Sequence, residues 1–123
     1  MQQQSWVSEL FRKIDSKDAE GFLSFLTPDA RFRFGNATPL RGRQAIGEAV
    51  AAFFTTITAS QHHLLRTWSI DDAVICQGEV TYTRRDHSTL TLPFVNIFRM
   101  QGAQINQYLI YVDLTPLYSS AVV

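Results

Sequence analysis

One cysteine, Cys76, stands alone among 123 residues, so no internal disulfide can form and nothing asks for an oxidising compartment. Neither sign of charge prevails: eleven basic residues balance eleven acidic ones, which leaves no global field to attract nucleic acid or an anionic membrane. Long apolar runs are missing as well. The longest, Ala49 to Phe54, spans six residues, far short of the roughly 20 that a membrane helix needs. The start, Met-Gln-Gln-Gln-Ser, has neither the basic opening nor the apolar stretch of a signal peptide, and the expectation is a cytoplasmic protein. Asn36-Ala37-Thr38 has the form of a glycosylation acceptor, but without a secretory signal it is read as chance. There is no glycine-rich phosphate loop, His-Glu-x-x-His, Cys-x-x-Cys or Gly-x-Ser-x-Gly elbow, and no basic run interleaved with aromatics. Nucleotide hydrolysis, zinc chemistry and nucleic-acid binding therefore have no support, and neither a metal nor a cofactor is expected.

What is present is apolar. Hydrophobic residues make up 46% and charged ones 18%, below the ~25% usual for charge, which suits one domain that hides surface on several sides. Trp6, Val7, Leu10, Phe11 and Ile14 form one stripe of an amphipathic helix, which Asp15 and Ser16 can break. A second helix carries Phe22, Leu23, Phe25 and Leu26 and stops at Thr27-Pro28. A short strand, residues 30–34, alternates Phe32 and Phe34 against Arg31 and Arg33, and residues 35–39 form a turn cluster. A third helix from about Gln44 presents Ile46, Val50, Phe53, Phe54 and Ile57. Four strand-like runs follow, residues 62–70, 74–84, 89–100 and 105–113, separated by turn residues. Helices first and strands after predict an α+β fold, a curved antiparallel sheet with helices on one face.

Four local patterns in this order resemble the nuclear transport factor 2-like superfamily, and within it the SnoaL-like (polyketide cyclase-like) group. They are Pro28-Asp29-Ala30-Arg31-Phe32, Pro39-Leu40-Arg41-Gly42-Arg43-Gln44-Ala45-Ile46, Gly78-Glu79-Val80-Thr81-Tyr82-Thr83 running on to Leu92-Pro93-Phe94, and Ile105 followed by Tyr111-Val112-Asp113-Leu114-Thr115-Pro116-Leu117. The resemblance covers about residues 6–117 and treats 1–123 as a single domain. It implies a cone: a bent sheet wrapped around three N-terminal helices and enclosing a pocket. It also implies a homodimer formed through the outer sheet face. The superfamily spans isomerases, dehydratases, epoxide hydrolases, cyclases and pure binders, so the fold alone transfers no reaction.

Asp113 is the leading candidate for catalysis. Period-two alternation puts Leu109, Tyr111 and Asp113 on one face of the last strand and Tyr108, Ile110 and Val112 on the other. The resemblance implies that the aspartate of Tyr-x-Asp faces the pocket, where burial would raise its pKa towards a useful range. The alternative is an aspartate that ends the strand and accepts hydrogen bonds ahead of Leu114-Thr115-Pro116. Tyr111, two residues earlier, is expected to orient oxygen. His62 and His63 are adjacent, so at most one reaches the pocket and they cannot chelate one metal together; the resemblance favours His63.

Tyr82 and Arg84 share the apolar face of their strand with Cys76 and Val80, and could bind a carbonyl or an oxyanion. Asn96, set within Phe94-Val95-Asn96-Ile97-Phe98, needs a partner in either the pocket or the dimer interface. Among the aromatics, Phe34 and Trp6 could line a pocket for a flat ligand.

Two departures narrow the chemistry. Ketosteroid isomerase-like relatives place a base near the end of the first strand, but no acid occurs between Asp29 and Glu48. Arg84 and Asp86 have the spacing of part of an epoxide hydrolase's Asp-Arg-Asp set, yet Asp86 falls in a turn. The expectation is a cofactor-independent enzyme that isomerises, dehydrates or cyclises a small, mostly apolar carbonyl- or hydroxyl-bearing molecule by Asp-centred acid–base chemistry. The alternative is a non-catalytic ligand-binding or dimerisation module of the same fold.

Overall fold

The alternating second half folds as four hairpin-linked antiparallel strands, β3 (Ala59–Ile70), β4 (Ala73–Thr83), β5 (Thr89–Gln101) and β6 (Gln104–Tyr111), in a computed structural model that describes residues 5–118. Their turns use the residues that tolerate a left-handed backbone: Asp71 (φ 54°), His87 (φ 73°) and Gly102 (φ 64°). The Asp86 carboxylate closes the β4–β5 turn by accepting from the Ser88 N–H and hydroxyl. Asp86 is exposed there.

The strand before the meander, β1 (Leu26–Phe34), joins it at β6, and β2 (Leu40–Arg41) adds to β1. The six-stranded order is β2-β1-β6-β5-β4-β3, a curved, unclosed sheet. The expected all-antiparallel sheet needs one correction, because β1 and β6 run parallel. Parallel neighbours need a long crossover, and here the whole of residues 35–103 lies between them. β1 also begins four residues earlier than expected. Pro28 does not exclude strand, because it falls in the irregular stretch between the Leu26 and Arg31 pairings.

The helices α1 (Ser5–Asp15), α2 (Ala19–Leu23) and α3 (Arg43–Phe54) cover the concave face, and a short α4 (Thr115–Tyr118) follows β6. Asp18 caps α2 by accepting from the Gly21 N–H at 2.9 Å. Val7, Leu10 and Phe11 of α1, Phe22 of α2 and Ile46, Val50 and Phe54 of α3 pack against Phe32, Val80, Phe94, Phe98 and Tyr108. Each such side chain contributes about 1.5–3 kcal/mol by leaving water. No helix among the described residues is long and apolar enough to cross a membrane.

Candidate active site

Asp15 is the last residue of α1, where the negative end of the helix dipole disfavours an anion. Strand β3 compensates. Ser60 Oγ donates to Asp15 Oδ1 at 2.8 Å, and the His62 N–H donates to Oδ2 at 2.8 Å. The His62 ring then bonds Oδ1 through Nδ1 at 2.6 Å. A carboxylate only accepts, so Nδ1 carries a proton, and in the neutral form of the ring it is Nε2 that holds the lone pair. Burial alone would raise the Asp15 pKa, but the hydrogen bonds and charge of His62, with Ser60, outweigh it and hold the carboxyl below its ordinary range. Phe11 stacks on the imidazole at 4.5 Å and 7°, and Phe94 meets it edge-on at 5.5 Å. The ring is thus fixed in tautomer and in orientation.

His62 lines a cavity of about 250 Å³ between the helices and the concave sheet. Its walls are apolar, with Ile14, Phe34, Phe53, Val80, Ile110 and Val112 among them, and the exposed Ala37 and Thr38 mark its mouth. Polar groups are few: Thr38, Ser60, His62, Tyr82, Asn96 and Tyr108. Burial first, then the charges of Tyr118 and Asp15, pushes the Tyr82 phenol up, so it is a neutral hydrogen-bonding group. Outside the wall, Asp15 and His62 also border a shallow depression with Ser8, Arg12, Gln61 and His63. The pair therefore sits between an apolar interior and the solvent. Among the described residues no three His, Cys, Asp or Glu side chains gather where a metal ion could bind.

Of the residues singled out from the sequence, Phe34, Tyr82 and Asn96 line this cavity. The others lie elsewhere, and each has a physical reason. Asp113 is exposed; its Oδ1 accepts from the Thr115 N–H at 3.0 Å, which caps the turn into α4 and lowers its pKa instead of raising it. Tyr111 shares that outward parity and is 57% exposed, because Tyr108, Ile110 and Val112 take the concave side. His63 points away from the cavity, since its neighbour His62, paired with Val80, occupies the inward position. The Arg84 guanidinium is spent on the Leu117 and Pro116 carbonyls and Ser88 Oγ. Trp6 packs edge-on against Phe98 at 5.2 Å and is absent from the cavity wall. Asp15 was missed entirely, having read as a helix-breaking cap.

A curved sheet closing over helices around a largely apolar cavity, with a half-buried Asp–His pair at its wall, defines the cone-shaped class of pocket-bearing domains. Over residues 7–108 the sequence matches the SnoaL-like domain, and the chain belongs to that family. No curated protein matches it in sequence. Among solved structures it is similar to a nuclear transport factor 2-like protein of unknown function from Burkholderia pseudomallei, with a TM-score of 0.85 at 16% identity over 95% of both chains. It is also similar to a proposed SnoaL-like polyketide cyclase from Jannaschia sp. CCS1, with a TM-score of 0.81 at 17% identity over 94% of this chain and 88% of that one. A third, TerC co-crystallised with polyporic acid, gives 0.79 at 20% identity over 91% and 92%. Identities this low establish the fold.

Proposed function

We propose that this protein is a cofactor-independent acid–base enzyme acting on a small, mostly apolar molecule, with His62 as the proton-transferring group and Asp15 as its positioning residue. The observation that carries this reading is the 2.6 Å bond from Asp15 to His62, whose ring lines a largely apolar cavity. It replaces the Asp113-centred scheme with one built on the residues that meet there. A cavity of about 250 Å³ exceeds the ~150 Å³ space that takes up benzene in an engineered core, so a molecule of one or two rings fits. That TerC was co-crystallised with polyporic acid and that a Jannaschia protein is a proposed polyketide cyclase agrees with a cyclic, oxygenated substrate.

In this scheme Nε2 removes a proton from carbon or oxygen of the bound molecule. Asp15 stabilises the imidazolium that results, and Tyr82 is placed to donate to a developing oxyanion. The proton then returns to another atom of the substrate, or passes to solvent at the outer depression. Isomerisation, dehydration and cyclisation all share this first step.

The test is deuterium exchange at the α-carbon of a neutral bicyclic ketone, 2-tetralone, in D2O followed by NMR. Wild type should accelerate exchange well above an equal concentration of free imidazole. His62→Ala should abolish the acceleration, Asp15→Asn should lower it, and Asp113→Asn should leave it intact. Saturable binding of the ketone without accelerated exchange would refute the enzyme reading and identify a binding module.

A further inference from the structure

Two polar atoms of the cavity-lining residues have no hydrogen-bond partner, Asn96 Oδ1 and the Tyr108 hydroxyl. Asn96 is 2% exposed and Tyr108 0%, so bulk water does not satisfy them. Buried polar groups are paired in the great majority of cases, and an unpaired one destabilises the fold. Here there are two, on adjacent strands. Asn96 stands opposite Ile110 and Phe98 opposite Tyr108, which makes Asn96 and Tyr108 diagonal neighbours on the concave face of β5 and β6. Their surroundings, Phe94, Phe98 and Ile110, would pack as well against apolar residues. The terminal torsion of an asparagine is soft, and no hydrogen bond holds Oδ1 in place.

The chemistry of the pair limits what can satisfy it. An amide oxygen needs a donor, while a phenol can both donate and accept. A ketone would answer Tyr108 and leave the Asn96 oxygen unmet, whereas a hydroxyl answers both. Charge limits it further. No lysine or arginine lines the cavity, and the carboxylate beside it is Asp15, so an anion would lose its water without gaining a countercharge.

We propose that the buried end of the cavity recognises the hydroxyl of a neutral phenol or enol, whose O–H donates to Asn96 Oδ1 and accepts from the Tyr108 O–H. The proposal rests on the reading of the cavity as a substrate pocket and narrows the substrate to a neutral, hydroxylated ring compound. The hydroxyl anchors one end while the ring skeleton lies against the apolar wall that includes His62.

Isothermal titration with 2-naphthol, 2-methoxynaphthalene, naphthalene and 2-naphthoate tests this on wild type, Asn96→Leu, Tyr108→Phe and His62→Ala. Wild type should prefer 2-naphthol over its methyl ether by at least ~10-fold, because a site that hydrogen-bonds an O–H rejects the analogue lacking it, and should not take the carboxylate. Asn96→Leu should lose the preference and still bind naphthalene. Unliganded, Asn96→Leu and Tyr108→Phe should each melt a few degrees higher than wild type, since each removes an unpaired buried atom. The preference should survive His62→Ala, so a failure of proton transfer leaves this proposal standing. Loss of the preference alone, with exchange intact, overturns only this one. Equal affinity for the alcohol and its ether, or a lowered melting point in both variants, overturns it, and binding of none of the four overturns it together with the pocket.

Discussion

Replacing Asp15 by asparagine separates the charge of the half-buried Asp15–His62 pair from its shape. The carboxylate accepts three hydrogen bonds, from Ser60 Oγ, the His62 N–H and His62 Nδ1. An amide keeps one oxygen and sets an NH2 against at least one of those donors. With a hydrogen bond to a charged group contributing about 1.5–3 kcal/mol, and partial repair by rotation or a change of imidazole tautomer, the expected loss at pH 7 is about 2–4 kcal/mol. The dependence on pH carries a definite sign. The folded-state pKa of Asp15 lies below the ordinary aspartate value of 3.8, so on acidification the unfolded chain takes up the proton first. Its stabilisation is complete well above pH 3.8 and is lost as the pH falls through the folded-state value. The difference between wild type and Asp15→Asn should therefore shrink as the pH falls through the folded-state value. Urea denaturation followed by circular dichroism at pH 7 and at progressively lower pH measures it. At pH 7 the midpoint should drop by roughly 1–3 M, taking a urea slope typical of a small domain. A drop no larger than the error of the midpoint, or a difference that does not change with pH, would mean that Asp15 does not hold His62 through its charge.

Two further predictions concern the sheet. Gly78→Ala would bring a Cβ to 2.3 Å from the His63 carbonyl oxygen and 3.0 Å from Phe94 Cζ; since backbone cannot yield as a side-chain tip does, a loss of about 3 kcal/mol is expected, and a loss under about 1 kcal/mol in the same urea assay would refute the close approach of β3 to β4. On the convex face, register lines up Trp68, Ile75, Ile97 and Leu109 across four strands, with Val95 and Tyr111 in the next row. A continuous apolar row of this kind is expected to be covered by a second copy of the chain, so sedimentation at micromolar concentration should give a dimer mass that Ile97→Glu reduces to a monomer, while a wild-type monomer would sink the idea.

The fold was legible because its signals are local. Period-two alternation over residues 74–83 put Cys76, Val80 and Tyr82 on one face, and all three are buried. The heptad-like spacing of Val7, Leu10 and Phe11 likewise named the buried stripe of α1. The placement of β1 beside β6 was not legible, because pairing of strands separated by some seventy residues leaves no mark on either. Parity gave the two alternate faces of β6 but not which one turns inward. Buried Tyr108 and the largely apolar set Tyr108, Ile110 and Val112 settle that against Tyr111 and Asp113. The run Asp113-Leu114-Thr115-Pro116 also carried its own local explanation, a side chain that accepts from the backbone two residues on and a proline in the first turn of a helix.

The site was harder to read than the fold because its two halves lie on different elements. His62 and Asp15 are 47 residues apart, and each alone has an ordinary explanation, a histidine near a strand end and an acid that stops a helix. The signal that could have joined them is electrostatic. A carboxylate ending a helix opposes the dipole, and the last turn of α1 otherwise carries the favourable cations Arg12 and Lys13. An acid placed against that preference must be held by something outside its own helix, and the polar residues of the first strand to pack on α1, Ser60 and His62, are what hold it. The same logic reaches Asn96. Between Phe94 and Phe98 on a buried parity it is a polar group against the pattern of its strand, and its oxygen has no protein partner, which is why the ligand hydroxyl is proposed as that partner. Residues that contradict their local pattern are thus the ones that assemble the proposed site: Asp15 is held by Ser60 and His62, whereas the unpaired Asn96 oxygen is a cost that, on the proposal above, a ligand offsets.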